Sequence, residues 1–144
     1  MYLRDIISAD GSHNKNVQAR RNKGLGIINN IMQILQSMLF GQFYFEVSLV
    51  LRSSILLSSL LTSEACVNLS DQNIRGLEQT DEILMSQIMG SAANTSYICK
   101  YLELGAVSVR FEIMKRKILF IQYILEQEES SMIYKVFFSF IFFI

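Results

Sequence analysis

Residues 14–26, "NKNVQARRNKGLG", crowd Lys15, Arg20, Arg21 and Lys23 into one stretch just after His13. Lysine and arginine neutralise phosphates, and Asn or Gln side chains hydrogen-bond sugar and phosphate oxygens without reading base sequence. Gly24 and Gly26 follow at once, each costing about 1 kcal/mol relative to Ala inside a helix. That cost is tolerable where a backbone or a ligand must approach closely. Two readings stand side by side: a phosphate-contacting helix start, or a solvated face whose glycines ease packing against the next helix.

Other chemistry is harder to find. His13 is the only histidine and sits in a turn, so a Ser or Cys nucleophile has no ready base. Histidine–cysteine metal sites lack ligands, and Gly24-Leu25-Gly26 lacks the third glycine of a dinucleotide fingerprint and follows no strand. Glu78 and Asp81 lie one helical turn apart, as paired carboxylates would. They occupy an apolar stripe, where an unpaired charge is costly, and Arg52 is equally out of place on another apolar helix. The expectation is a structural ion pair between Arg52 and Glu78 or Asp81, with no catalytic residue and no metal ligand.

The elements that must hold these groups follow from composition and periodicity. The length, 144 residues, suits one domain with a real core. Thirteen basic and thirteen acidic residues cancel, so electrostatic function has to arise from local segregation. Residues 1–23 and 110–117 are basic, and 64–82 is acidic. Cys66 and Cys99 stand far apart, which argues against a disulfide framework and for an intracellular chain, cytoplasmic or nuclear. Without a leader pattern, the triplets at Asn68 and Asn94 are expected to be idle as glycosylation acceptors. The uncharged apolar runs fall well short of the roughly twenty residues a membrane span needs, so no integral span is expected.

Proline is absent and no repeat appears, so the chain reads as consecutive helices with short breaks. Residues 2–8 have strand-like composition before an Asp10-Gly11 turn. Helical spacing runs over about 16–39, with Val17, Gly24, Ile28, Ile31 and Leu35 on one face and Arg21 at its margin. The opposite face holds Gln18, Asn22, Asn29, Asn30, Gln33 and Gln36, joined by Lys15 and Lys23. Further helices are expected over 43–63, core on most sides, and over 71–89, capped by Ser70 and ended by Gly90. Others are expected over 95–104, from about 108 to 127, and from 130 through 136. The predicted fold is an all-α multi-helix bundle with one short N-terminal strand or hairpin remnant. Its divisions are a strand and turn (1–13), a helical domain (14–129) and an apolar tail (130–144).

Three stretches taken in order, "YLRDIISADGSHNKNVQARRNKGLGIINNI", "LLTSEACVNLSDQNIRGLEQTDEILMSQIMG" and "YLELGAVSVRFEIMKRKILFIQYIL", resemble the part of non-LTR (LINE-type) retrotransposon reverse transcriptases that follows the catalytic palm. The likeness covers about residues 2–135. It implies that Tyr2 and Leu3 belong to a primer-grip strand, where the family has Tyr-Leu-Gly. Residues beyond it correspond to the thumb and connector, a helical unit that holds the template-primer duplex through its backbone. Lys15, Arg20, Arg21, Asn22 and Lys23 match the family's Lys/Arg/Asn-rich helix start and are implied to contact nucleic acid.

The chain departs from the family at Arg4, which replaces glycine, at Cys66, where a Glu-x-Trp pattern has its Trp, and at Ser108, which replaces a common proline. The Tyr-x-Asp-Asp turn and its partner aspartate, which hold Mg²⁺ in the family's palm, are absent. Asp5 and Asp10 do not replace them, because two-metal phosphoryl transfer needs convergent carboxylates. The resemblance therefore implies a fragment of an RNA-directed DNA polymerase that is not an enzyme by itself and carries no cofactor. Its implied ligand is RNA or an RNA–DNA hybrid, gripped without sequence preference. A small helical protein-interaction module, contacting a partner protein through the apolar tail, and a non-functional remnant are the alternatives.

Overall fold

A computed structural model describes residues 13–37, 41, 43–62, 69–91, 95–128 and 131–142. The expected strand over 2–8, including Tyr2 and Leu3, lies outside the described residues. What is described is all-α: α1 (Asn14–Ser37), α2 (Tyr44–Leu51) running into a π-helical segment (Arg52–Leu57) and α3 (Ser58–Leu60), then α4 (Asp71–Met89), α5 (Tyr97–Glu103), α6 (Val109–Leu125) and α7 (Met132–Phe142).

Local chemistry sets the boundaries. Ser70 caps α4 by accepting a hydrogen bond from the Asn73 amide at 3.2 Å, and Asp71 adds a first-turn carboxylate. Gly90 ends α4 at φ 60°, where the Ser91 amide donates back to the Ser86 carbonyl. Ser108 caps α6 by accepting from the Phe111 amide at 3.2 Å. The last helix, α7, continues past residue 136 to Phe142, into a run whose apolar side chains carry no readable period.

The segment expected as one helix, core on most sides, is instead amphipathic and interrupted. Tyr44, Ser48, Arg52, Leu56, Leu57, Leu60 and Leu61 are buried, whereas Phe43, Phe45 and Val50 are exposed. In an uninterrupted α-helix the steps from Tyr44 to Leu60, at about 100° each, leave the two about 160° apart. Wider π turns rotate less per residue and bring Leu60 back towards the buried side. Hydroxyls support the disturbed ladder: Ser54 donates to the Val50 carbonyl at 2.6 Å and Ser58 to the Ser54 carbonyl at 2.6 Å.

Three rods form the core. Val17, Ile28, Ile31 and Leu35 of α1 meet Leu56, Leu57 and Leu60 of the second rod and Leu77, Leu84 and Ile88 of α4, with Val109 and Ile113 of α6 closing the side. Gly24 sits where all three rods converge. A Cβ built there comes within 2.9 Å of Leu60 Cδ2 and 3.0 Å of Thr80 Cγ2. Gly26, by contrast, faces open space with no atom within 4 Å of a built Cβ. Packing therefore accounts for the first glycine and leaves the second without a structural reason. No helix among the described residues is long and apolar enough to cross a membrane.

Candidate nucleic-acid interface

Helix α1 carries no Asp or Glu in its length. Its buried stripe turns the amides outward, so Lys15, Gln18, Asn22, Lys23, Asn29, Asn30, Gln33 and Gln36 are all exposed. Gln18 Nε2 donates to Asn22 Oδ1 at 3.0 Å, one turn along, which holds those two side chains in a row. Helix α4 runs parallel to α1, with Gly76 and Gln79 beside Arg21, Thr80 beside Gly24 and Gln87 beside Met32 and Gln33. Near the C-terminal ends of the pair, Asn29, Met32, Gln33 and Gln36 border an open groove of about 540 Å³ with Gln87 on its far bank. Gln72, Arg75 and Gln79 of α4 are exposed as well.

The carboxylates of α4 are engaged elsewhere in the fold. Each of the four α4 carboxylates is paired with a cation from another element: Asp71 with Arg110 at 3.2 Å, Glu78 with Arg110 at 3.7 Å, Asp81 with Arg52 at 2.6 Å and Glu82 with Lys100 at 3.1 Å. Uncharged amides, Lys15, Lys23 and Arg75 remain to define the outward potential.

The five expected contact residues separate. Lys15, Asn22 and Lys23 share the exposed side of α1. Arg20 is half-buried at one margin of that helix. Arg21, at the other margin, lies across Gly76, whose built Cβ would stand 3.3 Å from Arg21 Cδ. Its Nη2 donates to Gln79 Oε1 at 3.4 Å, and its buried Nε has no hydrogen-bond partner among the described residues. Arg21 therefore belongs first to the α1–α4 contact, its stem lying so close to Gly76 that a Cβ there would have to press it aside by a few tenths of an ångström.

Of the two carboxylates expected opposite Arg52, Asp81 takes it and Glu78 does not. Arg52 Nε and Nη2 donate to the two Asp81 oxygens at 2.8 and 2.6 Å, a fork-on-fork arrangement, and Nη2 also reaches the Val107 carbonyl at 2.8 Å. Glu78 is placed towards α6, where Arg110 meets it. The Tyr101 hydroxyl donates to Asp81 Oδ2, and the Arg52 guanidinium carbon lies 5.4 Å from the Tyr101 ring centre. Burial works against the Arg52 charge, but the hydrogen bond and charge of Asp81 outweigh it and hold its pKa above the ordinary value. Burial first, then the neighbouring Asp81 charge and hydrogen bond, push the Tyr101 phenol well above its ordinary value of 10.0. This cluster ties the π segment, α4 and α5 together.

Sequence reasoning did not single out Lys100, whose side chain is 1% exposed and donates to Glu82 Oε1 at 3.1 Å and Ser86 Oγ at 2.8 Å. A seven-residue helix is too short to define the apolar stripe that makes a charge look misplaced. The only available signal was the surplus of acids on α4, which needed cations from somewhere. No group of His, Cys, Asp or Glu among the described residues is arranged to hold a metal ion. Comparison with protein-family models, curated proteins and solved structures yields no match.

Proposed function

We propose that this chain is a thumb-like nucleic-acid grip, the post-palm part of a non-LTR retrotransposon RNA-directed DNA polymerase, which holds RNA or RNA–DNA hybrid duplex without reading sequence. The observation that carries this reading is the outer face of α1: a row of uncharged amides with Lys15 and Lys23, free of carboxylates on its own helix, beside an α4 whose carboxylates each have a cationic partner. Amides and cations of this kind suit sugar and phosphate oxygens, and a negatively charged backbone meets no like charge from α1. The ordered sequence resemblance supports the same reading. Gly26 fits it too, because a glycine on the exposed face lets a ligand approach the helix backbone closely.

Fluorescence anisotropy with a labelled RNA–DNA hybrid duplex tests it. Binding is expected to weaken steeply between about 50 and 200 mM salt. Changing both Lys15→Ala and Lys23→Ala is expected to flatten the slope of log affinity against log salt by about 2, about 1 per lost phosphate contact. Unrelated duplex sequences are expected to bind equally. Affinity that ignores salt, or a slope that survives the double substitution, overturns the proposal.

A further inference from the structure

The groove near the C-terminal ends of α1 and α4 differs from the rest of the outer face in carrying no charge. Asn29, Gln33 and Gln36 line one bank and Gln87 the other, with half-buried Met32 among them, around an opening of about 540 Å³. From Gly24 to Ser37, helix α1 has no Lys, Arg, Asp or Glu at all. Solvated helix faces are ordinarily filled by charged side chains that pair across one turn. Here amides stand in their place on both banks. An amide offers donors and an acceptor together, and a hydroxyl does the same, whereas a phosphate oxygen only accepts. The groove therefore suits a neutral ligand that both gives and takes hydrogen bonds.

We infer that this groove holds the sugar edge of an RNA strand, and that Asn29, Gln33, Gln36 and Gln87 exchange hydrogen bonds with ribose 2′-hydroxyls and so distinguish RNA from DNA. This rests on the nucleic-acid grip proposed above and divides its labour. Lys15 and Lys23 stand on the first half of α1, and Asn29 begins the groove about 9 Å of helix beyond Lys23. A strand laid along α1 meets cations first, where affinity and its salt dependence arise. It then meets amides, which add hydrogen bonds and no charge. Base edges fit the groove less well, because their donors and acceptors change with sequence. The 2′-hydroxyl is present on every ribonucleotide, is both donor and acceptor, and is displayed along the wide, shallow minor groove of A-form helices.

Anisotropy titrations of the whole chain against matched duplexes of one sequence test this. The probes are an RNA–DNA hybrid, a DNA duplex, and a hybrid whose RNA strand carries 2′-fluoro in place of the hydroxyl, which keeps the A-form sugar pucker but removes the donor. The unmodified hybrid is expected to bind about tenfold more tightly than either of the others, the equivalent of one or two net hydrogen bonds. Changing both Gln33→Leu and Gln87→Leu, at exposed positions, should bring that ratio close to one with helical circular dichroism unchanged. Equal affinity for hybrid and DNA duplex overturns the inference and leaves the grip standing. So does a 2′-fluoro hybrid that binds like the unmodified one, or a double variant that keeps the full ratio. Absence of salt-sensitive binding to every duplex overturns the grip and this inference together.

Discussion

At the scale of single residues, Arg52 and Asp81 form an ion pair in which both partners are buried, at 3% and 0% exposure. A buried ion pair adds little net stability relative to a well-packed apolar pair, because both charges have been taken out of water. Removing one partner is another matter, since the survivor keeps its desolvation cost and loses its compensation. Asp81→Asn leaves the Arg52 guanidinium without a counter-charge and is expected to cost about 3–5 kcal/mol in urea unfolding. Arg52→Met should cost a similar amount by stranding the Asp81 carboxylate. The double variant should fall about 1–3 kcal/mol short of the sum of the two, because the stranded charge disappears from each side. Strict additivity would show that the pair is coupled less tightly than its fork geometry implies. The same residues decide what could be read in advance. A charge on an apolar stripe announces a need for a partner, so Arg52 and Asp81 were legible as members of a pair. Which of Glu78 and Asp81 would be taken was not, because both sit within one turn and only the placement of α6, which brings Arg110 to Glu78, separates them.

At the scale of elements, the two glycines of α1 answer differently to the same substitution. Gly24→Ala gains about 1 kcal/mol of helix propensity but drives a methyl group against Leu60 and Thr80, whose own surroundings are packed. Overpacking of that kind costs about 1–3 kcal/mol, so a net loss is expected in thermal unfolding. Gly26→Ala meets no atom and lies in helical backbone, so it should raise stability by up to about 1 kcal/mol. In the proposed grip the same methyl group hinders backbone approach, and hybrid-duplex affinity should fall while stability rises. A variant that gains stability and keeps full affinity would remove Gly26 from the interface. Periodicity was enough to place α1, α4 and α6 to within two residues and to find the stripe through Val17, Gly24, Ile28, Ile31 and Leu35, because long amphipathic helices repeat their signal. It failed for the second rod, whose apolar residues lie on every side of the helix and so do not mark the inward one: Phe43, Phe45 and Val50 are exposed although their sequence looks like core. It also could not anticipate that Arg21 would be drawn over Gly76, a contact made across 55 residues of chain between two helices whose parallel packing no local pattern specifies.

At the scale of the whole molecule, the Arg52–Asp81–Tyr101 cluster joins the π segment to α4 and α5, so protonation of one side chain should register in global stability. Tyr101 has its pKa raised in the folded protein above the ordinary 10.0, chiefly by burial. Below pH 10 the phenol is protonated in both folded and unfolded chains, and its contribution to stability is fully present. Above that, the unfolded chain releases the proton first and is favoured, so stability is lost as pH climbs from about 10 through the folded value, by about 1.4 kcal/mol per unit. Other groups also titrate in this range, including Tyr44, which burial raises in the same direction. Comparison with Tyr101→Phe isolates the effect. Near pH 8 the substitution costs the hydrogen bond to Asp81, on the order of 1.5–3 kcal/mol for a bond to a charged acceptor. As pH rises past 10 the unaltered protein should lose this advantage and the two unfolding curves should converge. A difference that stays constant between pH 8 and about 11 would mean that the Tyr101 hydroxyl titrates alike in both states, and that α5 is not closed over α4 tightly enough to exclude water from the cluster.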